Sequence, residues 1–508
     1  MSSINRKRIA RNTALLYFRM LLIMVISLFT VRIVLQTLGV EDYGIYNVVA
    51  GIVVMFSFLS NTMASSSQRY FAFELGKEDY LRLKKVFSIS LMVYFGIALV
   101  VLLLAETLGL WFLNTKMTIP PNRMEAANWI YQFSIFSFLI TIVTIPYNAV
   151  IIAREKMGIY AYVSIIEAAL KLLIVYLLVF FSFDKLKLYG ILLFGVTLII
   201  TGIYRTYCRK KYEECRFQFY RDKDFFKELI GYSGWNLYGA LAGVFKNQGI
   251  NILLNIFFGP VVNAARGVAF QVNSAINQFV SNFYTAVHPQ ITKSYAVGER
   301  KEMMNLVFQS SKFCFYLMLF LSVPVLIETP FILKLWLTEL PDYVVIFTRL
   351  VILNTLIDAM SYPLITAAQA TGKIMKYQLI VGSMLFLNLP LSYILLKFGL
   401  PPEITLYVSI VISILCLFMR AFMLRSMVGM SVRAYFTDVI LIAFSVSVIS
   451  LVLPVIIYIN LEENLIRLLI VTVVSLLSTG ISIWFLGLSK NERGFFIRQI
   501  NKRFFHRK

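Results

Sequence analysis

The chain is dominated by about fourteen long apolar runs that are separated by short polar connections. An α-helix needs roughly 20 mostly apolar residues to cross the hydrocarbon core of a bilayer, and most of these runs reach that length. They are too long for transmembrane strands and lack the alternation of apolar and polar residues that such strands show. The sequence therefore predicts a helical bundle with approximate spans at 13–36, 44–66, 86–106, 127–152, 158–181, 188–208, 232–258, 263–287, 308–327, 343–370, 374–398, 403–425, 437–459 and 465–486.

Composition supports an integral membrane protein. Hydrophobic residues make up 59% of the 508 residues and charged residues only 15%, and the mean hydropathy is +0.77. A soluble protein of this length would need more polar side chains to cover its surface.

Basic residues predict the orientation of the bundle. Most of the 48 lysines and arginines fall in alternate connections, and such residues are retained on the cytoplasmic side. Both termini are therefore expected in the cytoplasm. The net charge of +22 is explained by these clusters at helix ends, so nucleic acid is not an expected partner.

Two pairs of similar segments indicate an internal repeat. The stretch 76–90 resembles 298–311, and "PYNAVIIAREKMGIY" at 146–160 resembles "PLITAAQATGKIMKY" at 363–377. The matched residues of the second pair are Pro146 and Pro363, Ala153 and Ala370, Lys156 and Lys373, and Tyr160 and Tyr377.

Matched segments lie six spans apart, so both halves have the same orientation and are related by an axis along the membrane normal. The repeat predicts an N-terminal lobe at 1–208, a cytoplasmic linker at 209–230 and a C-terminal lobe at 231–428. Two further helices at 429–488 and a basic cytoplasmic tail at 489–508 complete the chain. Two such lobes suit alternating access to a site near the middle of the membrane.

Charged side chains within spans are costly in hydrocarbon and usually face protein or water. Arg19 and Arg32 lie in the first span, about 20 Å apart along a helix. Either could extend its charge to the membrane boundary instead of lining a cavity. Arg19 is the better candidate for a functional role, because basic residues before it already anchor that boundary. Arg420, near the cytoplasmic end of span 12, is expected to snorkel in the same way.

Spans 7 and 8 are unusually rich in amide side chains. On span 7, Asn247, Asn251 and Asn255 share one helical face; on span 8, Arg266, Asn273 and Asn277 do so. Any single asparagine could simply join two helices. The whole set favours a hydrophilic cavity, in which the amides bind sugar hydroxyls and Lys246 and Arg266 hold phosphate.

Two acidic residues are candidates for coupling to a proton or sodium gradient. Asp358 in span 10 is the main acid without a basic neighbour on its helical face. Glu167 in span 5 stands four residues before Lys171, which is the favourable order for a local ion pair.

Catalytic chemistry is not predicted. The two histidines, His288 and His506, lie at a helix end and in the tail. The sequence contains no GxxxxGK phosphate-binding loop, and nothing in it indicates a metal site or an organic cofactor. The expected non-cytoplasmic loops are too short for the soluble domain of a membrane transferase.

The segments "LLYFRMLLIMVISLFTVRIVLQTLGVEDYGIYNVVAGIVVMFSFL", "SSSQRYFAFELGK" and "IPYNAVIIAREKMGIYAYVSIIEA" carry a family resemblance. The chain resembles the bacterial polysaccharide-export flippases, the O-antigen and oligosaccharide translocases of the multidrug/oligolipid/polysaccharide exporter superfamily. The resemblance implies a MATE-like fold with two six-helix lobes around a cationic cavity.

The resemblance also implies a function. Members move undecaprenyl-diphosphate-linked oligosaccharides from the inner to the outer leaflet of the bacterial cytoplasmic membrane. The expected partners are this lipid-linked sugar, membrane lipid, and the polymerase and glycosyltransferases of the same pathway. Arg19 and Arg266 match cavity arginines that related lipid flippases carry on the first and eighth helices. Span 2 contains no Arg or Lys, so a third such arginine is missing.

Two alternatives remain open. A multidrug and toxin extrusion antiporter shares the fold but exports cations through a cavity with acidic groups. A membrane transferase or polymerase would act on the same lipid carrier. The excess of basic over acidic residues within the spans favours an anionic cargo.

Overall fold

The computed structural model describes residues 3–56, 71, 75, 79–154, 156–181, 183–220, 241–296, 298–337, 339–371, 374–490 and 492–494. All regular secondary structure in these ranges is helical. Eleven of the described helical segments are long and apolar enough to cross a membrane. The prediction of an all-α, multi-pass membrane protein is therefore confirmed. Parts of predicted spans 2 and 7, the linker and the basic tail lie outside the described residues.

The chain divides into two compact units. The first unit comprises Met1–Val268, Leu337–Asp342 and Phe386–Pro402, and the second comprises Ala269–Trp336, Tyr343–Leu385 and Glu403–Lys508. The lobe boundaries at 208, 231 and 428 stay predictions.

The helices that follow predicted spans 1 to 7 lie in the first unit. They are α1 (Ser3–Val54), α2 (Tyr80–Leu104), α3 (Leu110–Lys116), α4 (Met124–Ala153), α5 (Met157–Phe180), α6 (Lys185–Lys211) and α7 (Ile250–Phe258). Two π-helical turns, Ala105–Gly109 and Phe245–Gly249, interrupt this set. Helix α8 (Pro260–Ala296) starts in the first unit and ends in the second.

The remaining helices follow the predicted spans 9 to 14. They are α9 (Arg300–Ile327), α10 (Thr329–Trp336), α11 (Val344–Ala370), α12 (Met375–Phe386), α13 (Asn388–Lys397), α14 (Ile404–Val428), α15 (Val432–Tyr435), α16 (Ile442–Asn460) and α17 (Leu465–Ser482). Two further π-helical turns span Phe436–Leu441 and Ile483–Gly487.

Helix α1 contains the boundary between predicted spans 1 and 2. At Gly39 the backbone has φ 82° and ψ 169°, which breaks the helical path. A side chain strongly disfavours such a positive φ, so glycine suits this position. Five residues later, a Cβ on Gly44 would lie only 1.9 Å from the carbonyl oxygen of Pro260. A glycine at position 44 thus allows α1 to contact the first residue of α8 directly.

Connections expected on the same side of the membrane meet at the same end of the first unit. Arg123, before α4, contacts Asp42 at 2.5 Å and Asp184 at 2.7 Å. These residues lie in or beside the connections after spans 1, 3 and 5. Burial would raise the pKa of Asp184, but hydrogen bonds from Arg123 and from the Lys187 backbone outweigh it and hold that pKa below its ordinary value.

The matched repeat segments occupy equivalent places in the two units. Pro146 lies inside α4 and Pro363 inside α11. Tyr160 and Tyr377 both stand in the first turn of the next helix, α5 and α12 respectively. The local structure of these segments therefore repeats, as the sequence similarity indicates.

Candidate functional site

Arg19 on α1 lies against α5 in the first unit. Its guanidinium carbon is 4.7 Å from the centre of the Tyr160 ring, a favourable cation–π arrangement. The residue is half-buried, and its Nε and Nη1 atoms are buried without an acceptor among the described residues. A charge held in this way can accept an anionic ligand.

Arg32 lies on the same helix, more than three turns further along. It is half-buried. Thirteen helical residues separate it from Arg19, which is about 20 Å along the axis, so the structure does not bring these two arginines into one cluster.

The amides of α7 and α8 form a buried network in the first unit. Asn263 donates to the backbone oxygen of Asn251 at 2.7 Å and to its side-chain oxygen at 2.8 Å. Asn251 in turn donates to the backbone oxygen of Asn47 on α1 at 3.3 Å. These hydrogen bonds join three helices, which is the packing role that asparagines often have in membranes. Binding of substrate by Asn251 stays a prediction.

Asn255 is fully buried and binds the backbone of Thr118 in the connection before α4. Its side-chain oxygen accepts from the Thr118 N–H at 2.9 Å, and its Nδ2 donates to the Thr118 carbonyl at 3.3 Å. Asn255 thereby supplies a hydrogen-bond partner for both the N–H and the carbonyl of Thr118. A contact with substrate stays a prediction for this residue also.

The π-helical turn Phe245–Gly249 carries Lys246 and Asn247. The backbone oxygen of Asn247 accepts a hydrogen bond of 2.9 Å from Nη2 of Arg266, which is buried. Lys246 is half-buried and the Asn247 side chain is exposed. The structure therefore brings Arg266 to the turn that carries the other predicted cation.

Asn273 and Asn277 lie further along α8, in the second unit. Asn273 is buried, and no described residue hydrogen-bonds its Oδ1 atom. Asn277 accepts a hydrogen bond of 3.4 Å from Tyr362 on α11. The Tyr362 ring lies 5.4 Å from that of Tyr284, whose hydroxyl is 2.5 Å from Thr366 Oγ1. This group of aromatic rings, hydroxyls and amides is the kind of surface that sugars bind.

The two coupling candidates have different surroundings. Glu167 forms a 2.6 Å ion pair with Lys171 on the same helix, and both side chains are exposed. Asp358 accepts a hydrogen bond of 3.1 Å from Asn354, one turn earlier on α11. Coupling to an ion stays a prediction for both residues.

The expectation that Arg420 snorkels is wrong. Only 6% of the residue is exposed, and its guanidinium donates to Tyr377 Oη at 3.2 Å and to Ser361 Oγ at 3.0 Å. The charge points into the second unit because neighbouring helices supply two hydroxyl acceptors there.

Sequence reasoning missed two buried ion pairs in the second unit. Arg467 on α17 binds Glu328 through contacts of 2.9 and 3.0 Å, and Lys312 on α9 lies 3.0 Å from Glu492. Burial would raise the pKa of Glu492, but hydrogen bonds from the Ser489 backbone and from Lys312 outweigh it and hold that pKa below its ordinary value. Glu328, Arg467 and Glu492 stand at or beside helix ends, where a charge is common in the sequence, whereas Lys312 lies inside α9.

Residues 9–295 match the family model of the polysaccharide biosynthesis proteins. The chain belongs to this family. The match covers more than half of the 508 residues and includes all the predicted substrate-binding residues. No curated protein sequence matches the chain.

Solved structures confirm the MATE-like fold expected for this family. A lipid II flippase, MurJ, in an inward closed conformation has a TM-score of 0.67 and 12% identity, over 97% of this chain and 99% of that one. An inward-facing MATE multidrug transporter has a TM-score of 0.65 and 11% identity, over 80% and 96% of the two chains. The MATE transporter DinF-BH, in complex with R6G, has a TM-score of 0.63 and 14% identity, over 84% and 97%. At these identities the likeness establishes the fold alone.

Proposed function

We propose that the protein is a flippase of the bacterial cytoplasmic membrane. It carries undecaprenyl-diphosphate-linked oligosaccharide from the inner to the outer leaflet by alternating access, with both termini in the cytoplasm. Family membership links the chain to polysaccharide biosynthesis. The fold, similar to that of a lipid II flippase and of MATE transporters, provides a membrane transport scaffold.

The observation that carries the proposal is the state of Arg19. A guanidinium within a membrane span has two buried nitrogens without a hydrogen-bond acceptor among the described residues, and the ring of Tyr160 lies beside it. Leaving such donors unsatisfied is costly, and a phosphate offers the acceptor oxygens that a guanidinium binds best. A lipid diphosphate would satisfy Arg19 while the arginine replaces part of the hydration that the phosphate loses.

The other predicted residues supply complementary contacts in this proposal. Lys246, Arg266 and the exposed amide of Asn247 assist the diphosphate in the first unit, and Arg32 is a further cation on its path. Asn273 and Asn277 bind sugar hydroxyls, while Asn251 and Asn255 hold the helices that present these groups. The partners would be the sugar polymerase and glycosyltransferases of the same pathway.

A proton or sodium gradient would drive the cycle, with Asp358 as the first candidate to bind the ion. The Asp358 carboxylate lies inside α11 and accepts a hydrogen bond from Asn354. Glu167, the second candidate, forms an exposed ion pair with Lys171.

Transport in reconstituted vesicles tests the proposal. Lipid-linked oligosaccharide is placed in the outer leaflet of the vesicles. A lectin added outside binds only the sugar that is still exposed there, so a decrease in lectin binding measures translocation. We expect Arg19→Gln and Arg266→Gln to abolish transport while the proteins still insert into vesicles. Arg82→Gln is the matched control, because it removes the same charge from an exposed position at the start of α2 and should transport normally.

Three outcomes would contradict the proposal. Normal transport by both Arg19→Gln and Arg266→Gln would remove these arginines from the mechanism. A change in the mass of the lipid-linked sugar would indicate a transferase or polymerase. Efflux of an organic cation without movement of the lipid would indicate an antiporter.

A further inference from the structure

Arg420 is enclosed by three helices of the second unit. It lies on α14, and its guanidinium donates to Tyr377 on α12 at 3.2 Å and to Ser361 on α11 at 3.0 Å. These bonds use Nε and Nη1. No described residue accepts a hydrogen bond from Nη2, and the residue retains 6% of its surface exposed. The two hydroxyls therefore fix the guanidinium plane and leave one edge available.

The charge of Arg420 has no described counter-ion. Its hydrogen-bond partners are neutral hydroxyls, and no described carboxylate lies within salt-bridge distance of it. Asp358, one turn before Ser361 on α11, is instead hydrogen-bonded by Asn354. The buried ion pairs of the same unit, Arg467 with Glu328 and Lys312 with Glu492, do have carboxylate partners. A buried charge without a partner is unfavourable, so an anion would stabilise Arg420.

The internal repeat relates the two tyrosines that Arg420 and Arg19 contact. Tyr377 is the repeat counterpart of Tyr160, the residue whose ring lies against Arg19. The two arginines come from helices that are not repeat counterparts, α14 and α1. In each unit, an arginine without a described carboxylate partner therefore contacts the repeat-related tyrosine, Tyr160 or Tyr377.

The depth of Arg420 suits a headgroup phosphate. It stands eight residues before the end of α14 at Val428, which corresponds to about 12 Å along the helix. On the expected topology this end of α14 is cytoplasmic. A phosphate entering from the cytoplasmic leaflet would need to move only a short distance to reach the guanidinium.

We propose that Arg420, oriented by Tyr377 and Ser361, is a second anion-binding site that takes a phosphate group. The inference rests on the proposed function for its cargo, because a lipid diphosphate is the anion that such a flippase would present. Free phosphate has the same chemistry and could also fill the site.

Binding measurements in detergent micelles test the proposal, with inorganic pyrophosphate and a short-chain prenyl diphosphate as probes. Arg420→Gln is expected to weaken binding at this site about tenfold or more, since hydrogen bonds to charged groups contribute about 1.5–3 kcal/mol. Tyr377→Phe and Ser361→Ala, which keep the charge but loosen its orientation, should weaken binding by about two- to tenfold. Arg420→Lys should fall between, because an ammonium retains the charge without the planar fork.

Arg19→Gln serves as the background for these titrations, so that the site at Arg420 is observed alone. Tyr316→Phe is the matched control for Tyr377→Phe: its buried hydroxyl donates to the Gly487 backbone oxygen at 3.2 Å, and its loss should leave pyrophosphate binding unchanged. Arg433→Gln removes an exposed arginine and controls for net charge. Thermal unfolding without a probe detects any variant that fails to fold.

The outcomes separate a binding site from a structural cross-link. Weaker binding of both probes in Arg420→Gln supports a lipid diphosphate site, and weaker binding of pyrophosphate alone supports a free-phosphate site. Unchanged affinity for both probes in a folded Arg420→Gln protein overturns the inference. That last result would leave the proposed function intact if the wild-type protein transports lipid-linked sugar. Conversely, a wild-type protein that binds pyrophosphate at Arg420 but transports no lipid-linked sugar would refute only the function.

Discussion

The ion pair between Glu328 and Arg467 gives a direct test of how charge is stabilised inside the second unit. Glu328 follows α9 and has a fully buried side chain, while 8% of the Arg467 side chain is exposed. Two hydrogen bonds join them, Nε to Oε1 at 2.9 Å and Nη2 to Oε2 at 3.0 Å. The pair links the end of α9 to the start of α17.

Replacing Arg467 by Met leaves the Glu328 carboxylate buried without its partner. Two hydrogen bonds to a charged group contribute about 1.5–3 kcal/mol each, and breaking a buried pair from one side typically costs about 3–5 kcal/mol. We therefore expect Arg467→Met to lower the free energy of unfolding by about 3–5 kcal/mol. The double variant Glu328→Leu with Arg467→Met should recover most of this loss, because it also removes the isolated charge.

Reversible denaturation in mixed detergent micelles measures both variants. Glu167→Gln is a suitable control: it breaks an exposed i, i+4 pair of 2.6 Å, and such helical pairs contribute about 0.3–0.5 kcal/mol. The reasoning is refuted if Arg467→Met costs no more than this control, or if the double variant is as unstable as the single one.

Three further predictions use the same unfolding assay. Gly44→Ala should destabilise the protein by about 1–3 kcal/mol, since its Cβ would lie 1.9 Å from a backbone oxygen of α8. Gly96→Ala is the control, because open space surrounds its Cβ, and it should not destabilise the protein. Equal effects of the two substitutions would contradict the close contact at Gly44. Asn255→Ala should cost about 1–3 kcal/mol for each Thr118 backbone group left unsatisfied, and a neutral result would show that water replaces the amide. The low pKa of Asp184 stabilises the folded state above the ordinary pKa near 3.8, and this contribution is lost as the pH falls through the folded value. The difference in stability between wild type and Asp184→Asn should therefore shrink from about pH 5 to about pH 3, and a difference that grows would refute the assigned direction.

The candidate site was partly predictable from the sequence. Arginines within an apolar span are conspicuous because lipid does not tolerate isolated charge, so Arg19 and Arg266 could be selected without coordinates. The asparagines of α7 were selected because several amides share one helical face, but helical spacing cannot distinguish a residue that lines a cavity from one that binds a neighbouring backbone. The structure shows Asn251 and Asn255 bound to backbone atoms of Asn47 and Thr118, which are distant in sequence.

For Arg420 the sequence predicted an exposed charge where the structure has a buried one. A position near a helix end predicts an arginine that extends to the membrane boundary. That prediction considers one helix at a time, whereas the acceptors Ser361 and Tyr377 lie on two other helices.

The sequence by itself determined the helical membrane architecture and the excess of cations over acids within the spans, and it indicated an internal repeat. These properties depend on composition and on local periodicity, because hydrocarbon requires each spanning segment to satisfy its own backbone hydrogen bonds. Only the tertiary structure decided which polar side chains have partners. A hydrogen bond depends on the distance and direction between groups on different helices. The spacing of residues along one helix does not give that distance or direction.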